Sequence, residues 1–238
     1  MGVRAVLFDM YNTLVRNDPS LWLMTFAEIC RRQGLGVDPE HLWRVWKAIE
    51  GEERRRRVIP SNPAASPPFK SYRRMWTECF REAFRQLGLR GDEEAAAALC
   101  IEDLGKREPF PGALPLLSSL RGRVRVGVVS NADVAFLYPL LARLALPVEA
   151  AVCSEEVRAY KPHPRPFLVV LRWLGVSPEE ALFVGDSPEE DVRGAKGVGL
   201  RTLWLNRDGK ALPPGVPAPD AQASSIEEVA AFCAREVL

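Results

Sequence analysis

A short apolar run near the start of the chain ends abruptly at an aspartate. Residues 3 to 8 read V-R-A-V-L-F, in which β-branched and aromatic side chains are well represented, as expected of a buried central strand. Asp9 follows directly, and Asn12 and Thr13 then favour a turn. In an open α/β sheet, the carboxyl end of such a strand faces the crevice in which ligands bind. We therefore expect Asp9 to be functional, the alternative being that it only caps the next turn.

Further strands are predicted after residue 110, and helical patterns separate them. The apolar runs that predict these strands cover residues 124–129, 150–153, 181–184 and 201–205. Strands that alternate with helices imply a doubly wound parallel sheet with right-handed crossovers. After the last of these strands, a loop is predicted over 209–219, followed by a helix that opens at Ser225.

Residues 16–106 interrupt this alternation with helical patterns alone. A capping residue followed by proline predicts a helix start at Asp18-Pro19 and again at Asp38-Pro39. Ser71 precedes a strongly amphipathic segment, and another helix is predicted over 92–106. The sequence therefore predicts an α/β core, residues 1–15 and 107–238, with an inserted all-helical domain of at least four helices, residues 16–106.

One segment of this insertion is very highly charged. Opposite charges stand four residues apart in the pairs Glu50–Arg54, Glu52–Arg56 and Glu53–Arg57. Such pairs are typical of a solvated helical face. The alternative is a basic rim that attracts an anionic substrate.

Composition limits the partners of the chain. Its 238 residues carry a formal net charge of +1 and are 26% charged and 47% hydrophobic, as in a soluble globular protein, which argues against nucleic acid or an anionic membrane as the main partner. Its 5 cysteines include no C-x-x-C pair, so we expect buried, reduced thiols in a cytoplasmic protein. Neither a signal peptide nor a membrane span is expected. A small, anionic molecule is the expected partner of a monomer or homodimer.

Polar residues follow three of the predicted strands. Asp9 ends the first strand, Ser130-Asn131 ends the second, and Asp186 follows the strand over 181–184. A further connection carries Lys161 in the triplet Y-K-P, and Asp191 lies five residues beyond Asp186. Four such features, in this order in one α/β chain, are strong evidence of a catalytic site.

These motifs resemble those of the haloacid dehalogenase-like (HAD) hydrolase superfamily. The matching segments are F-D-M-Y-N-T-L, V-V-S-N-A, A-Y-K-P and F-V-G-D-S-P-E-E-D. The helical insertion stands where many members of that superfamily carry a mobile cap. The resemblance implies a Rossmann-type core, a nucleophilic aspartate, an ionic pocket and a cap that closes over it.

The resemblance assigns roles that the chemistry of the side chains supports. Asp9 would attack the substrate and form a covalent intermediate, which water then hydrolyses. Lys161 would keep this carboxylate ionised and attract an anionic group. Thr13 would orient Asp9 or the transferred group. Ser130 and Asn131 would bind substrate oxygens, unless they are plain turn residues.

A magnesium site is implied in the same place. Asp9, Asp186 and the main-chain carbonyl of Tyr11 would supply the oxygen ligands that Mg²⁺ prefers. Asp191 would hold Lys161 or a metal-bound water in position, the alternative being that it caps its own helix.

The first motif departs from that of the family's phosphatases. They usually carry a second aspartate two residues after the nucleophile, which protonates the leaving alcohol, and here Tyr11 occupies that position. Loss of a general acid of this kind costs ~10²–10⁴-fold in rate. The family's 2-haloacid dehalogenases also have tyrosine there, and a halide leaves without a proton. Arg44 could be the cap arginine of those enzymes, the alternative being a surface arginine.

Two other positions argue against a dehalogenase. Those enzymes need no metal and usually lack an aspartate at the position of Asp186, and they tend to have tyrosine where Phe167 stands. We therefore predict a magnesium-dependent phosphatase of a small phosphorylated metabolite. It should favour acyl and aryl phosphates unless Tyr11, Glu189 or Glu190 supplies a proton. The alternatives are a 2-haloacid dehalogenase and a non-catalytic protein that binds a phosphorylated ligand.

Overall fold

Six parallel strands form one sheet in the computed structural model, which describes residues 2–236 apart from the side chain of Ala64. The strands are β1 (Ala5–Phe8), β2 (Arg125–Ser130), β3 (Ala150–Cys153), β4 (Ala181–Gly185), β5 (Arg201–Leu205) and β6 (Ala221–Ala223). Their order across the sheet is β3-β2-β1-β4-β5-β6. This is the order of a doubly wound Rossmann-type sheet, so the predicted fold class is confirmed.

The first strand lies at the centre of the sheet and sets the position of every other strand end. All four residues of β1 are buried. Phe8 pairs with Val128 of β2 on one side and with Val184 of β4 on the other. Asp9 is therefore level with the carboxyl ends of both neighbouring strands, at the point where the strand order reverses. Ligands bind at such a switch point in open α/β sheets.

Helices cover both faces of the sheet. The core helices are α5 (Ala113–Leu120), α6 (Val134–Leu144), α7 (Ser154–Val157), α8 (Pro164–Leu174), α9 (Arg193–Gly197) and α10 (Ile226–Glu236). Alternate residues of β1 belong to different apolar clusters, Val6 and Phe8 to one and Ala5 and Leu7 to the other. This alternation is what a strand buried on both faces requires.

The helical insertion contains four α-helices, a short 3₁₀ turn (Pro63–Ala65) and, over its described residues, no strand. Its helices are α1 (Pro19–Gln33), α2 (Pro39–Arg56), α3 (Tyr72–Leu87) and α4 (Glu93–Leu104). Asp38 accepts a capping hydrogen bond from the Glu40 amide, and Ser71 accepts one from the Arg74 amide. The prediction of a capping side chain is wrong at Asp18, which precedes α1 but accepts no hydrogen bond from its amides. The aromatic rings of α1, α2 and α3 pack around Trp46, which is buried.

The chain enters and leaves this insertion through two adjacent segments. Val15 forms a bridge with Pro109, and the amide of Arg16 donates to the carbonyl of Glu108 at 2.9 Å. The amide of Phe110 donates to the carbonyl of Leu14, also at 2.9 Å. The two segments that join the core to the insertion, residues 14–16 and 108–110, therefore lie side by side.

Asp133 makes a contact between the core and the insertion that its sequence position does not indicate. It directly precedes α6, but its carboxylate accepts hydrogen bonds from the amides of Tyr72 (2.9 Å) and Arg73 (2.8 Å). These amides open α3, so Asp133 caps a helix of the other part of the chain. Burial raises the pKa of Asp133 to about 6.

The last strand, the cysteines and the apolarity of the helices also bear on the sequence predictions. Strand β6 lies just beyond the predicted loop and was missed, since the three residues A-Q-A carry no strand pattern. All 5 cysteines are buried and free, as predicted. Among the described residues, no helix has both the length and the apolarity needed to cross a membrane.

The close packing of the sheet can be tested at Gly127, in the middle of β2. A Cβ atom there would lie 2.8 Å from Leu7 and 3.2 Å from Leu174 and Val170. Gly127→Ala should therefore lower the free energy of unfolding by ~1–3 kcal/mol, as overpacking of a core does. Urea denaturation followed by circular dichroism measures the change.

Gly36→Ala is the matched control, because a Cβ at Gly36 meets no atom within 4 Å. Its free energy of unfolding should stay within ~0.5 kcal/mol of the parent value. If both substitutions changed the free energy of unfolding equally, β2 would not be packed as closely around Gly127 as the structure shows.

Candidate active site

A buried lysine lies at the centre of the site. The Nζ atom of Lys161 donates to Oδ1 of Asp9 at 2.7 Å, to Oδ1 of Asp191 at 2.6 Å and to the carbonyl of Val129 at 2.9 Å. The side chain is 1% exposed. All three protons of the ammonium group therefore have acceptors, as a buried charge requires.

The electrostatic balance keeps this lysine charged. Burial alone would lower its pKa, but the carboxylates of Asp191 and Asp9 raise the pKa of Lys161 above its ordinary value. Burial raises the pKa of Asp191 to about 7 against the opposing effect of Lys161. The amide of Ser187 donates to the second oxygen of Asp191 at 2.9 Å. Asp191 thus has both oxygens engaged and holds the lysine in place.

Asn131 fixes the main chain of the same lysine. Its Oδ1 atom accepts from the Lys161 amide at 2.8 Å, and its Nδ2 atom donates to the Lys161 carbonyl at 3.3 Å. Ser130 is buried, and both residues line the cavity described below. The structure therefore brings Ser130 and Asn131 to the site, and it shows a positioning role for Asn131 that the sequence did not indicate.

A second carboxylate faces the first across the switch point. Asp186 follows β4, and its Oδ1 atom accepts from the Thr13 hydroxyl at 3.3 Å. Thr13 was expected to orient Asp9 or the transferred group, whereas its hydroxyl contacts Asp186. Burial, followed by repulsion from Asp9 and Asp191, raises the pKa of Asp186 well above its usual range.

Three acidic side chains converge closely enough to hold a cation. One carboxylate oxygen from each of Asp9, Asp186 and Asp191 lies within 4.8 Å of the other two. Among the described residues, Oδ2 of Asp9 and Oδ2 of Asp186 accept no hydrogen bond, and neither does the carbonyl of Tyr11. Oxygen donors crowded in this way repel one another unless a cation lies between them, and they suit a hard divalent ion.

The Tyr11 side chain contacts the helical insertion. Its hydroxyl donates to the carbonyl of Leu104 in α4 at 3.4 Å, and its ring packs edge-on against Phe136. Burial raises the pKa of Tyr11 well above its ordinary value. The phenol is therefore protonated at neutral pH, and it is hydrogen-bonded to the helical insertion.

Both candidate glutamates are engaged in ion pairs with arginines. Burial would raise the pKa of Glu190, but Arg54 and Arg57 lower it to about 2. Both arginines form ion pairs with it, at 3.3 and 3.2 Å. Glu189 is paired with Arg193 at 2.8 Å. Of the three residues considered as proton donors, none presents a free carboxylic acid to Asp9.

A cavity of about 1260 Å³ lies between the strand ends and the helical insertion. Asp9, Ser130 and Asp186 line it from the core. Residues of the insertion that line it include Trp22, Trp43, Lys47, Glu50, Arg54 and Trp76. The core therefore supplies the converging polar groups, and the insertion supplies an aromatic wall with a few charges.

The charged residues of α2 differ from the sequence prediction. Arg44 is exposed and does not line the cavity, so the structure does not bring it to the site. Glu50 was assigned to a solvated face, but it is 2% exposed and pairs with Lys47 at 3.0 Å and Arg54 at 3.7 Å. Lys47, Glu50 and Arg54 were missed as cavity residues. Trp43, Lys47, Glu50 and Arg54 follow one another at steps of four, three and four residues, and this was the available signal, since such residues share one helix face.

Arg207, in the loop after β5, was also missed. Its guanidinium donates to the carbonyls of Asn12 and Thr13, the second at 3.0 Å, and lies over the ring of Phe110 at 3.8 Å. Arg207 also lines the cavity. It therefore fixes the turn that follows the strand of Asp9, a role that only the folded arrangement reveals.

The site thus consists of a buried lysine between carboxylates, at the strand ends of a Rossmann-type sheet and beneath a helical insertion. The family model of haloacid dehalogenase-like hydrolases matches residues 3–199. The chain belongs to this family, and the resemblance seen in its motifs is confirmed.

Relatives of known name differ in the reaction that they catalyse. Haloacetate dehalogenase H-2 of Moraxella sp. is 29% identical over 92% of this chain and 92% of its own length. Phosphoserine phosphatase of Thermus thermophilus is 34% identical over 63% of this chain, and the match spans only 61% of that phosphatase. The HAD-hydrolase YfnB of Bacillus subtilis, solved with magnesium bound, is 20% identical, with a TM-score of 0.80 over 98% of this chain and 99% of its own.

The buried lysine can be tested by removing its charge. Lys161→Met leaves Asp9 and Asp191 buried without a counter-ion, so the free energy of unfolding at pH 7.5 should fall by ~3–5 kcal/mol. Lys161→Met combined with Asp191→Asn should recover part of this loss. Urea denaturation measures both.

Lys196→Met is the control, since its ion pair with Asp220 is partly exposed. Loss of this ion pair should lower the free energy of unfolding by less than ~1 kcal/mol. If Lys161→Met is no more destabilising than this control, the buried charge cluster is not formed in solution.

Proposed function

We propose that this hydrolase is a phosphatase that acts on small phosphorylated molecules through Asp9. The observation that carries the proposal is the second carboxylate, Asp186, beside the nucleophile–lysine pair. Two carboxylates and a single lysine leave an excess of negative charge, which a metal-assisted phosphatase uses and a metal-free dehalogenase does not need. The similarity to a phosphoserine phosphatase is consistent with this choice.

Asp9 would act as the nucleophile. Its carboxylate would attack phosphorus, form an aspartyl phosphate and release the leaving group, and water would then cleave the acyl phosphate. Lys161 donates to this carboxylate at 2.7 Å and so holds it in position. Ser130, which lines the cavity, would bind a phosphate oxygen. Asn131 and Asp191 would act by holding Lys161.

The donor set fits a magnesium ion. Asp9 and Asp186 each keep one oxygen without a hydrogen bond, and the Tyr11 carbonyl is also unpaired among the described residues. A bound Mg²⁺ would neutralise the charge of the phosphate and of the two carboxylates. The raised pKa of Asp186 reflects the same crowding of negative charge.

The lack of a general acid for the leaving group restricts the substrates that this site can hydrolyse quickly. Tyr11 stays protonated and is bonded to Leu104, and Glu190 stays ionised between two arginines. A leaving alkoxide would therefore leave without a proton from these residues. We propose that the preferred substrates are acyl and aryl phosphates, whose leaving groups are stable as anions.

The helical insertion, residues 16–106, is proposed to act as the cap and to select the substrate. Residues 1–15 and 107–238 would form the catalytic core. The aromatic rings of Trp22 and Trp43 at the cavity wall favour a substrate with an apolar part. The protein is proposed to act in the cytoplasm, as a monomer or homodimer.

A 2-haloacid dehalogenase is the second candidate. Tyr11 and the 29% identity to a haloacetate dehalogenase over 92% of both chains favour it. The same Asp9 would then attack carbon and expel a halide, for which no proton donor is needed. Asp186 has no role in that reaction.

The leaving-group prediction can be tested with two classes of phosphate. The kcat/KM for glucose 6-phosphate should be ~10²–10⁴-fold below that for acetyl phosphate or p-nitrophenyl phosphate, because general acid catalysis is absent. Tyr11→Asp should narrow this gap by supplying the acid. Release of the leaving group is followed with each substrate.

Tyr11→Asn is the matched control, because asparagine has the size of aspartate but no acidic proton. It should leave the ratio of kcat/KM between the two classes of phosphate unchanged. Asp9→Asn should abolish all turnover. Equal rates for sugar and acyl phosphates in the parent protein would contradict the argument. Binding of phosphate without any turnover would instead identify a non-catalytic protein.

Metal removal separates the two candidate reactions. Phosphatase activity should be lost in excess chelator and restored by Mg²⁺, and Asp186→Asn should raise the Mg²⁺ concentration needed by at least ~10-fold. Asp208→Asn, at an exposed position of the same cavity wall, should leave it unchanged. Halide release from 2-chloropropionate in chelator, without phosphatase activity, would establish the dehalogenase.

A further inference from the structure

A second cavity, of about 340 Å³, lies apart from the one above Asp9. Its walls are the segment that follows α2, residues 56–70, and the core segment 158–165 that precedes α8. None of its lining residues also lines the larger cavity. We call it the basic cavity, because arginine and lysine dominate the charges on its walls. They are Arg56, Arg57, Lys70, Arg158 and Arg165, against the single acidic residue Glu53.

Two of these cations are not neutralised by the protein. Within the part of the chain that the structure describes, no carboxylate lies within 4.0 Å of Arg158 or Arg165. Arg165 donates only to the carbonyl of Val157, at 3.0 Å, and Arg158 lies over the ring of Phe69. Both guanidinium groups are therefore available to an anion at the mouth of the cavity.

A third cation is buried with an unused donor. The side chain of Arg57 is 8% exposed, and its Nη2 atom donates to Glu190 at 3.2 Å. Its Nη1 atom is buried and has no hydrogen-bond partner among the described residues. A buried donor left without an acceptor destabilises the folded state, so an acceptor supplied by a ligand would stabilise this arrangement.

We propose that the basic cavity is a binding site for a small phosphorylated molecule, distinct from the catalytic site. Its volume lies at the lower end of the range for small-molecule sites. Guanidinium groups bind phosphate through paired hydrogen bonds, and a phosphate group has enough oxygens to meet arginines from both walls. Arg57 comes from the helical insertion, whereas Arg158 and Arg165 come from the core.

The site is connected to the catalytic centre by direct contacts. Arg57 stacks on the ring of Tyr160 at 3.8 Å, and Tyr160 directly precedes Lys161 in the chain. Arg57 also pairs with Glu190, next to Asp191. An anion bound between the two walls would therefore join the insertion to the core beside the buried lysine.

Binding of inorganic pyrophosphate tests the proposal. Isothermal titration calorimetry in excess chelator is carried out on the full-length chain and on the double variant Arg158→Gln/Arg165→Gln. The dissociation constant should rise at least ~10-fold in the variant, because two charge-assisted contacts are lost. The double variant Arg158→Lys/Arg165→Lys, which keeps the charge without the paired donors, should give an intermediate value.

The matched control is Arg121→Gln/Arg123→Gln, which removes the same charge from two exposed positions after α5. It should change the dissociation constant less than ~2-fold, and a thermal melt checks that every variant is folded. Asp9→Asn should also retain the binding. Unchanged affinity in the Arg158/Arg165 variant, an equal loss in the control, or loss of binding in Asp9→Asn would each overturn the proposal.

Discussion

The ammonium group of Lys161, buried between two carboxylates, is the interaction on which the site depends. Removing an ammonium group from water is costly, and the cost is offset only when each of its protons meets an acceptor. Asp9, Asp191 and the Val129 carbonyl supply those acceptors. Because the lysine is fixed, the carboxylate of Asp9 is fixed with it, and the geometry is ready before a substrate arrives. Asp186 lies beside this group, and its burial, followed by repulsion from Asp9 and Asp191, raises the pKa of its carboxyl well above the usual range.

The two parts of the chain contribute different properties to the cavity. The core supplies charge at the strand ends, and the helical insertion supplies aromatic surface and the Lys47–Glu50–Arg54 row. Tyr11 connects the two parts, since it follows β1 of the core and donates to the carbonyl of Leu104 in α4. At the position where the family's phosphatases usually carry an acidic aspartate, this chain therefore has a tyrosine that connects the core to the insertion.

The strand ends could be predicted from the sequence because parallel strands bring their carboxyl ends to one edge. The apolar runs located β1, β2 and β4, and the polar residues that follow them had to meet once the sheet formed. The same reasoning could not locate contacts between distant helices. Periodicity showed that one face of α2 would be buried, but not which of Arg44 and Lys47 would face the cavity, because the rotation of a helix is set by its packing. The partner of Asp133 lies 61 residues earlier in the chain, and no local pattern indicates it.

The paired crossings at Leu14–Arg16 and Glu108–Phe110 have an evolutionary consequence. Since the chain departs and returns through neighbouring hydrogen-bonded segments, a different insertion could be joined at this point without any change in strand register. The walls of the cavity that come from the insertion can then change while the charged strand ends of the core stay as they are. Acceptance of a differently shaped substrate, with the same groups meeting beside Asp9, is the outcome that such modular architecture permits.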